Sequence, residues 1–162
     1  MVIRAAHNGD VQAIMEIYNY AILHTTAVYD YEPHNIEMRQ QWFDTKKQQG
    51  FPVFVAEEGG EVIGFGSLGP FRAWAAYKYT VENAIYVKHD AQGKGIGRLL
   101  MEPLINASKE LGIHTIVAGI DADNVVSIQL HKKFGFTEVA HFKQVGWKFD
   151  KWLDLKFMQL IL

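Results

Sequence analysis

The chain has 162 residues, 49% hydrophobic and 21% charged, with a net charge of −2 and no cysteine. That length and apolar content suit one domain with its own core. The charge argues against binding nucleic acid through phosphate contacts, and the lack of thiols excludes disulfides, a cysteine nucleophile and cysteine-based zinc sites. Residues 1–10 are too short and polar to read as a signal peptide, and no apolar run approaches the ~20 residues that span a bilayer. The expectation is a cytoplasmic protein without nucleic-acid or membrane partners.

Residues 2–5 can form a short first strand. Asp10 is a good N-cap, and Ile14, Ile17, Tyr18 and Ala21 lay a helical stripe behind it. Residues 25–33 break the period as a polar-aromatic loop holding Tyr29 and Tyr31. Asn35 can cap a second helix that runs through Trp42 and Phe43 and stops at Gly50. Residues 53–57 and 62–68 read as strands around the turn signal Gly59-Gly60. Residues 71–79 are aromatic and basic. Residues 80–87 are rich in β-branched and aromatic types, which favours a strand. After the glycine-rich stretch, Leu99, Leu100, Leu104 and Ile105 recur at helical spacing toward Gly112, with Pro103 inside. Residues 113–120 form a mostly apolar fifth strand, buried on both faces. Asp123 or Asn124 caps a last helix ending at Gly135. Residues 137–142 and 152–161 finish a mixed sheet with helices on both faces.

The densest signal is the order strand, glycine loop, helix in residues 80–98. Gly93, Gly95 and Gly97 alternate with Lys94 and Ile96, and Arg98 closes the run. The first turn of a helix has N–H groups without partners and the positive end of the dipole. Glycines let backbone approach an anion without a Cβ in the way, so this order makes a phosphate cradle. It is not a P-loop, because Gly95 follows Gly93-Lys94 where a hydroxyl is needed for magnesium. It is not the dinucleotide fingerprint either, because Arg98 stands where the third glycine belongs.

Gln92-Gly93-Lys94-Gly95-Ile96-Gly97-Arg98 resembles the Q/R-x-x-G-x-G/A loop of the GNAT acetyltransferase superfamily, which holds the pyrophosphate of acetyl-coenzyme A. Thr80-Val81-Glu82, residues 124–136, Ile17-Tyr18-Asn19 and Trp152-Leu153-Asp154 resemble the phosphinothricin acetyltransferase branch, so the similarity runs over nearly the whole chain. The resemblance implies an α/β (α+β) GNAT fold in a single domain, residues 1–162, with a mixed, mostly antiparallel twisted sheet of about six to seven strands and helices on both faces. It also implies acetyl-coenzyme A as cosubstrate, a small amino-acid-like substrate and a homodimer, to which the apolar run of residues 157–162 can contribute.

Amine acetylation needs a proton acceptor for the ammonium, donors for the oxyanion and stabilisation of the leaving thiolate. Glu82 is the best base candidate, since a carboxylate in an apolar strand is costly without work or a partner. From the residues alone it reads equally as an edge-strand charge facing water. In the branch it resembles, Thr-Val-Glu carries the general base. Ile85, Tyr86 and Val87 read as core, and the resemblance implies that their strand splays and offers its backbone to the thioester and the pantetheine arm. Asn124, Ser127 and His131 share a helix face at spacings of three and four. The resemblance makes Asn124 and Ser127 cofactor contacts, and Asn124 reads also as an N-cap. His131 stands near a tyrosine that many GNAT enzymes use as acid for the thiolate, so it is either that acid or a structural histidine. Lys133 either reaches the cofactor phosphates or stays in solvent. Phe71-Arg72-Ala73-Trp74 borders the substrate in the branch, and the Arg72 fork suits a carboxylate; a surface-loop arginine is the other reading. Tyr31, Asn83 and Ala84 complete the expected substrate contacts. The other histidines show no metal spacing, so no metal is expected.

The resulting expectation is transfer of acetyl to the α-amino group of phosphinothricin, methionine sulfoximine or methionine sulfone, by direct attack with Glu82 as base. Rivals are a GNAT enzyme for another amine, such as a polyamine or a protein N-terminus, and a non-catalytic acyl-coenzyme A sensor.

Overall fold

A computed structural model describes residues 1–162. Its elements are β1 (Val2–Ala5), α1 (Val11–His24), α2 (Ile36–Gln49), β2 (Val53–Glu58), β3 (Glu61–Pro70), β4 (Thr80–Val87), α3 (Ile96–Glu110), β5 (Thr115–Asp121), α4 (Val125–Lys133), β6 (Thr137–Lys148) and β7 (Lys151–Ile161). The seven strands form one sheet in the order β1-β2-β3-β4-β5-β7-β6. All neighbours are antiparallel except β4 and β5, which α3 connects in parallel. The fold is thus mixed and mostly antiparallel.

Side-chain alternation divides the core into two layers. On β3 and β4, Phe65 and Tyr86 pack with Val11, Ile14 and Phe43 of α1 and α2. Leu68 and Val81 point the other way, to Met101 and Leu104 of α3 and Ile128 of α4. Gly66 lets α3 lie close, since a Cβ there would come within 2.9 Å of Leu104 Cδ1. Leu100, Met101 and Leu104 have no exposed surface, so truncating one to alanine should cost about 2–5 kcal/mol.

Most expected elements lie where the hydrophobic period puts them. Three differ. Asp10 precedes α1, yet its carboxylate makes no cap bond. It accepts instead from Arg4 Nη1 and Nη2 at 2.8 and 2.9 Å and from the His7 amide at 2.8 Å. A guanidinium within reach outcompetes the helix end, and these bonds hold the carboxyl below its usual range although burial alone would raise it. Strand β5 starts at Thr115, because the Ile113 amide donates back to Ser108 to close α3. Strand β6 runs on to Lys148 rather than stopping at residue 142. Its register shifts between Phe142 and Gly146, with Gln144 at φ 56°, and the hairpin turns on Phe149 and Asp150 at φ 53° and 56°. The positive φ angles fall on Gln144, Phe149 and Asp150 rather than on the glycine that usually announces a bulge or a tight turn.

Candidate active site

Strands β4 and β5 pair over only three residues, ending at Glu82 opposite Val117. Beyond that point β4 stays with β3 as far as Val87, while β5 stays with β7 as far as Asp121. The sheet therefore opens in its middle. A cavity of about 350 Å³ fills the opening, a volume suited to a small ligand. Its walls come from β3 (Phe65, Ser67, Gly69), residues 82–86 of β4, residues 118–121 of β5, α1 and α2 (Tyr18, Arg39, Trp42, Lys46) and α4.

Glu82 lies on a central strand, so it is not an edge charge facing water. Its carboxylate points into the cavity on the α1–α2 side, and a Cβ at Gly119 would come within 3.1 Å of Oε1. Burial raises its pKa, with nearby Lys46 pulling the other way. Lys46 Nζ donates to the Leu68 carbonyl at 2.6 Å, and burial pushes its pKa down to about 8. The Arg39 guanidinium lies 3.8 Å over the Tyr18 ring and 4.4 Å from the Trp42 ring.

Asn83 and Ile85 point to the opposite layer, toward α3 and α4. His131 Nδ1 meets the Ser127 carbonyl at 2.7 Å, which fixes its proton there. Its Nε2 is thereby an acceptor, 3.1 Å from Asn83 Nδ2. Burial lowers the His131 pKa, against the Ser127 carbonyl. In this arrangement His131 orients Asn83 and presents no proton to the cavity. The Asn83 amide oxygen is buried without a partner, an acceptor free for a ligand N–H. Asn124 accepts from the Ser127 amide at 3.2 Å and so caps α4, and it also lines the cavity.

The glycine loop lies before α3 as expected. Gly93 and Gly95 adopt φ 82° and 76°, and Gly95 is the N-cap of α3 without any side-chain cap bond. The N-terminus of α2 is capped by Asn35 and that of α4 by Asn124, so α3 alone of these three has its first-turn amides free of a side chain. Gln92, Lys94 and Arg98 are exposed around them, and Ile96 is buried as the first anchor of the helix. Gly97 would bring a Cβ within 3.0 Å of Leu130 Cδ2, so it sets the spacing of α3 and α4. The residues present fit a pyrophosphate: a glycine backbone, uncapped amides and two exposed cations.

Of the other expected contacts, Ala84, Ile85, Tyr86 and Ser127 line the cavity. Val87 does not, and pairs with Gly64 of β3. Lys133 is exposed at the end of α4. Arg72, Ala73 and Trp74 stand in solvent, Trp74 at 67% exposure, in the segment that follows the cavity residues Gly69 and Pro70. The Arg72 guanidinium sits 5.4 Å from the Phe71 ring. Tyr31 is exposed and its hydroxyl donates to the Trp147 carbonyl. The sequence reading passed over Arg39 and Lys46. They share one α2 stripe with Trp42 and Phe43, and two cations on a stripe that must face the core are the signal that could have found them.

Residues 15–136 match the acetyltransferase (GNAT) family. The L-methionine sulfoximine/L-methionine sulfone acetyltransferase of Salmonella typhimurium is 46% identical over 162 residues, covering 100% of this chain and 95% of that protein. The phosphinothricin N-acetyltransferase of Streptomyces coelicolor is 32% identical over 160 residues, covering 97% and 94%. Among solved structures, yncA from Salmonella typhimurium with its cofactor acetyl-CoA superposes at TM-score 0.98 with 45% identity, over 99% of this chain and 93% of that one. The chain belongs to the GNAT acetyltransferase family, and it is an acetyltransferase. No helix is long and apolar enough to cross a membrane.

Proposed function

We propose that this enzyme moves acetyl from acetyl-coenzyme A to the α-amino group of a small amino-acid analogue of the methionine sulfoximine, methionine sulfone or phosphinothricin type. The observation that carries the proposal is the Glu82 carboxylate, aimed into a cavity where the sheet parts, with the uncapped glycine loop at the start of α3. Acetyl-coenzyme A supplies the activated acyl group. The chain's own residues do the rest. The loop Gln92–Arg98 holds the pyrophosphate through backbone amides, with Lys94 and Arg98 adding charge and Lys133 in reach of the outer phosphates. The β4 backbone at residues 83–87, having left β5, offers its polar groups along the opening. Glu82 takes the proton from the substrate ammonium, and burial, by raising its pKa, makes it a stronger base than an ordinary carboxylate.

Arg72, exposed beyond Pro70, is assigned the far, tetrahedral end of the substrate, with the exposed Trp74 and Tyr31 as further candidate contacts. Polyamines fit less well. The cavity holds the buried Arg39 and the half-buried Lys46, and of its two carboxylates Asp121 is tied to the Tyr29 hydroxyl at 2.7 Å and to the Asp123 amide at 2.8 Å. With acetyl-coenzyme A as donor the enzyme works in the cytoplasm, which cell fractionation checks. It forms a homodimer. The run at residues 157–162 lies in the inner strand β7, whereas Val139, Phe142, Val145, Trp147 and Trp152 are exposed on the β6–β7 hairpin and are the better surface for a second copy.

The deciding experiment is thiol release from acetyl-coenzyme A with each of the three analogues and with a polyamine. Release with an analogue supports the reading. Binding of coenzyme A without release from any of them would make the protein an acetyltransferase for another amine.

A further inference from the structure

Two cations face the cavity without an ion-pair partner, although the Glu82 charge acts on Lys46 from nearby. Arg39 is 2% exposed, and its Nε is buried with no hydrogen-bond partner. Neither Arg39 nor Lys46 takes part in any ion pair of the molecule. Buried cations are ordinarily paired, since leaving water is costly for a charge. Ring faces partly offset that cost for Arg39, and one carbonyl does so for Lys46, but the in-plane Nε–H of Arg39 has no acceptor.

The position of Lys46 is specific. Glu82 of β4 and Gly69 of β3 are cross-strand partners. A Cβ on Gly69 would come within 2.6 Å of Lys46 Nζ. Gly69 therefore leaves the space in which the ammonium sits, directly beside the residue proposed as base. Each cation bears on the other, as burial and the Arg39 charge together hold the Lys46 pKa down. An anion between them would relieve both.

We infer that Arg39 and Lys46 form the seat for the substrate's α-carboxylate. The inference rests on the function proposed above and deepens it. In an α-amino acid the carboxylate hangs from the carbon that bears the amine. An anion seat next to the base can only receive that group, because the far polar group is several bonds away. This leaves the tetrahedral end to the outer part of the site. It also explains how a cavity can select amino acids over simple amines: an amine without a carboxylate leaves the buried Arg39 and the half-buried Lys46 unpaired.

The test compares methionine sulfone with the amine left when it loses its carboxylate. Wild-type kcat/KM should favour methionine sulfone by at least about tenfold, the effect of one charge-assisted hydrogen bond. Lys46→Met and Arg39→Lys should each lower kcat/KM for methionine sulfone by a further tenfold to a hundredfold relative to the amine, so the ratio collapses. Gly69→Ala, which displaces the Lys46 ammonium, should collapse it in the same direction. Removing the Lys46 charge also changes Glu82, so both substrates share some loss and only the ratio reads the carboxylate. If Arg39→Lys fails to fold, Lys46→Met and Gly69→Ala decide. A ratio unchanged in these variants overturns the seat, as does a wild type that prefers the decarboxylated amine. If the wild type ignores methionine sulfone, the substrate assigned above fails; the ratio is then read on the best-used L-amino acid and its decarboxylated amine, and the seat stands or falls by that.

Discussion

Replacing Glu82 with glutamine keeps the shape of the side chain and removes its capacity to take a proton. The carboxylate lies in the opening of the sheet with Gly119 behind it and Lys46 nearby, so a glutamine should fill the same space. General-base catalysis contributes roughly 10²–10⁴ in rate, or about 3–5 kcal/mol of transition-state stabilisation, and turnover in Glu82→Gln should fall by that factor. Affinity for coenzyme A should hold, because the glycine loop is untouched. The pH profile adds a second readout. Burial raises the Glu82 pKa, so wild-type kcat/KM should rise with pH as the carboxylate ionises, and the variant should lose that limb. Stability gives a third. A raised folded-state pKa means that the group's contribution is present below its unfolded pKa and is lost as pH rises through the folded value. Above its folded-state pKa the ionised Glu82 therefore opposes folding, and there Glu82→Gln should melt at or above the wild-type temperature while being nearly inactive. Steady-state thiol release over about pH 6 to 9 and a thermal melt make the measurement. Wild-type kcat/KM across that range would remove Glu82 from the base role, and a melting point several degrees lower would mean that the site had collapsed.

Gly95→Val should abolish coenzyme A binding by calorimetry, and because Gly95 sits at φ 76° it should also cost about 1–2 kcal/mol of stability; unchanged affinity would take the loop out of the site. Gly119→Ala should lower kcat more than it raises KM, since its Cβ would crowd Glu82 Oε1 and Phe157 Cε1 at 3.1 and 3.2 Å, and equal kcat would show that Glu82 moves freely. Arg72→Lys should cut kcat/KM for methionine sulfoximine about tenfold or more with little change in cofactor affinity; equal values would make Arg72 a plain surface residue. Sedimentation at micromolar concentration should show a dimer that Trp152→Glu, at a position 60% exposed, converts to monomer; a wild-type monomer would reject the assembly.

What was legible in the sequence follows from how local each cause is. The turn at Gly59-Gly60, the caps Asn35 and Asn124 and the left-handed Gly50 are decided by neighbouring residues, and the elements they bound were found. The position of the loop Gln92–Arg98 before α3 was legible because its glycines supply the positive φ that the turn into the helix needs. The course of β6 was not, because Gln144, Phe149 and Asp150 take positive φ without glycine, held by pairing with β7 and by Asp154 accepting from the Gln144 amide at 2.9 Å. The cations of α2 were missed for a different reason. In the sequence they are two charges in a polar helix; only the approach of α2 to β3 and β4 turns that face inward. Arg72 was read from the resemblance of residues 71–74 to the branch, from its fork and from its nearness to Glu82 in sequence; its place on the surface after Pro70 depends on the course of the chain and was not legible.

The alternation along β4 divides the residues of the proposed reaction between two layers. Glu82, Ala84 and Tyr86 face α1 and α2, where Arg39 and Lys46 stand. Asn83 and Ile85 face α3 and α4, the side on which the glycine loop starts α3. An acyl donor held by that loop and an amine held beside Glu82 begin on opposite sides of the sheet. They can meet only where the sheet is open, which is beyond the third β4–β5 pair. Opening it has a cost, since each buried peptide group left without a partner forfeits about 1–3 kcal/mol. A donor whose arm carries amide groups can return those bonds as it enters. On the function proposed above, the gap would be both the passage for the thioester and the means of binding it, and a continuous β4–β5 ladder is expected to be more stable and inactive. A variant in which a disulfide engineered between the two strands closes the gap should melt higher, bind coenzyme A poorly and recover both properties on reduction. Full activity with the bridge intact would show that the reactants meet elsewhere.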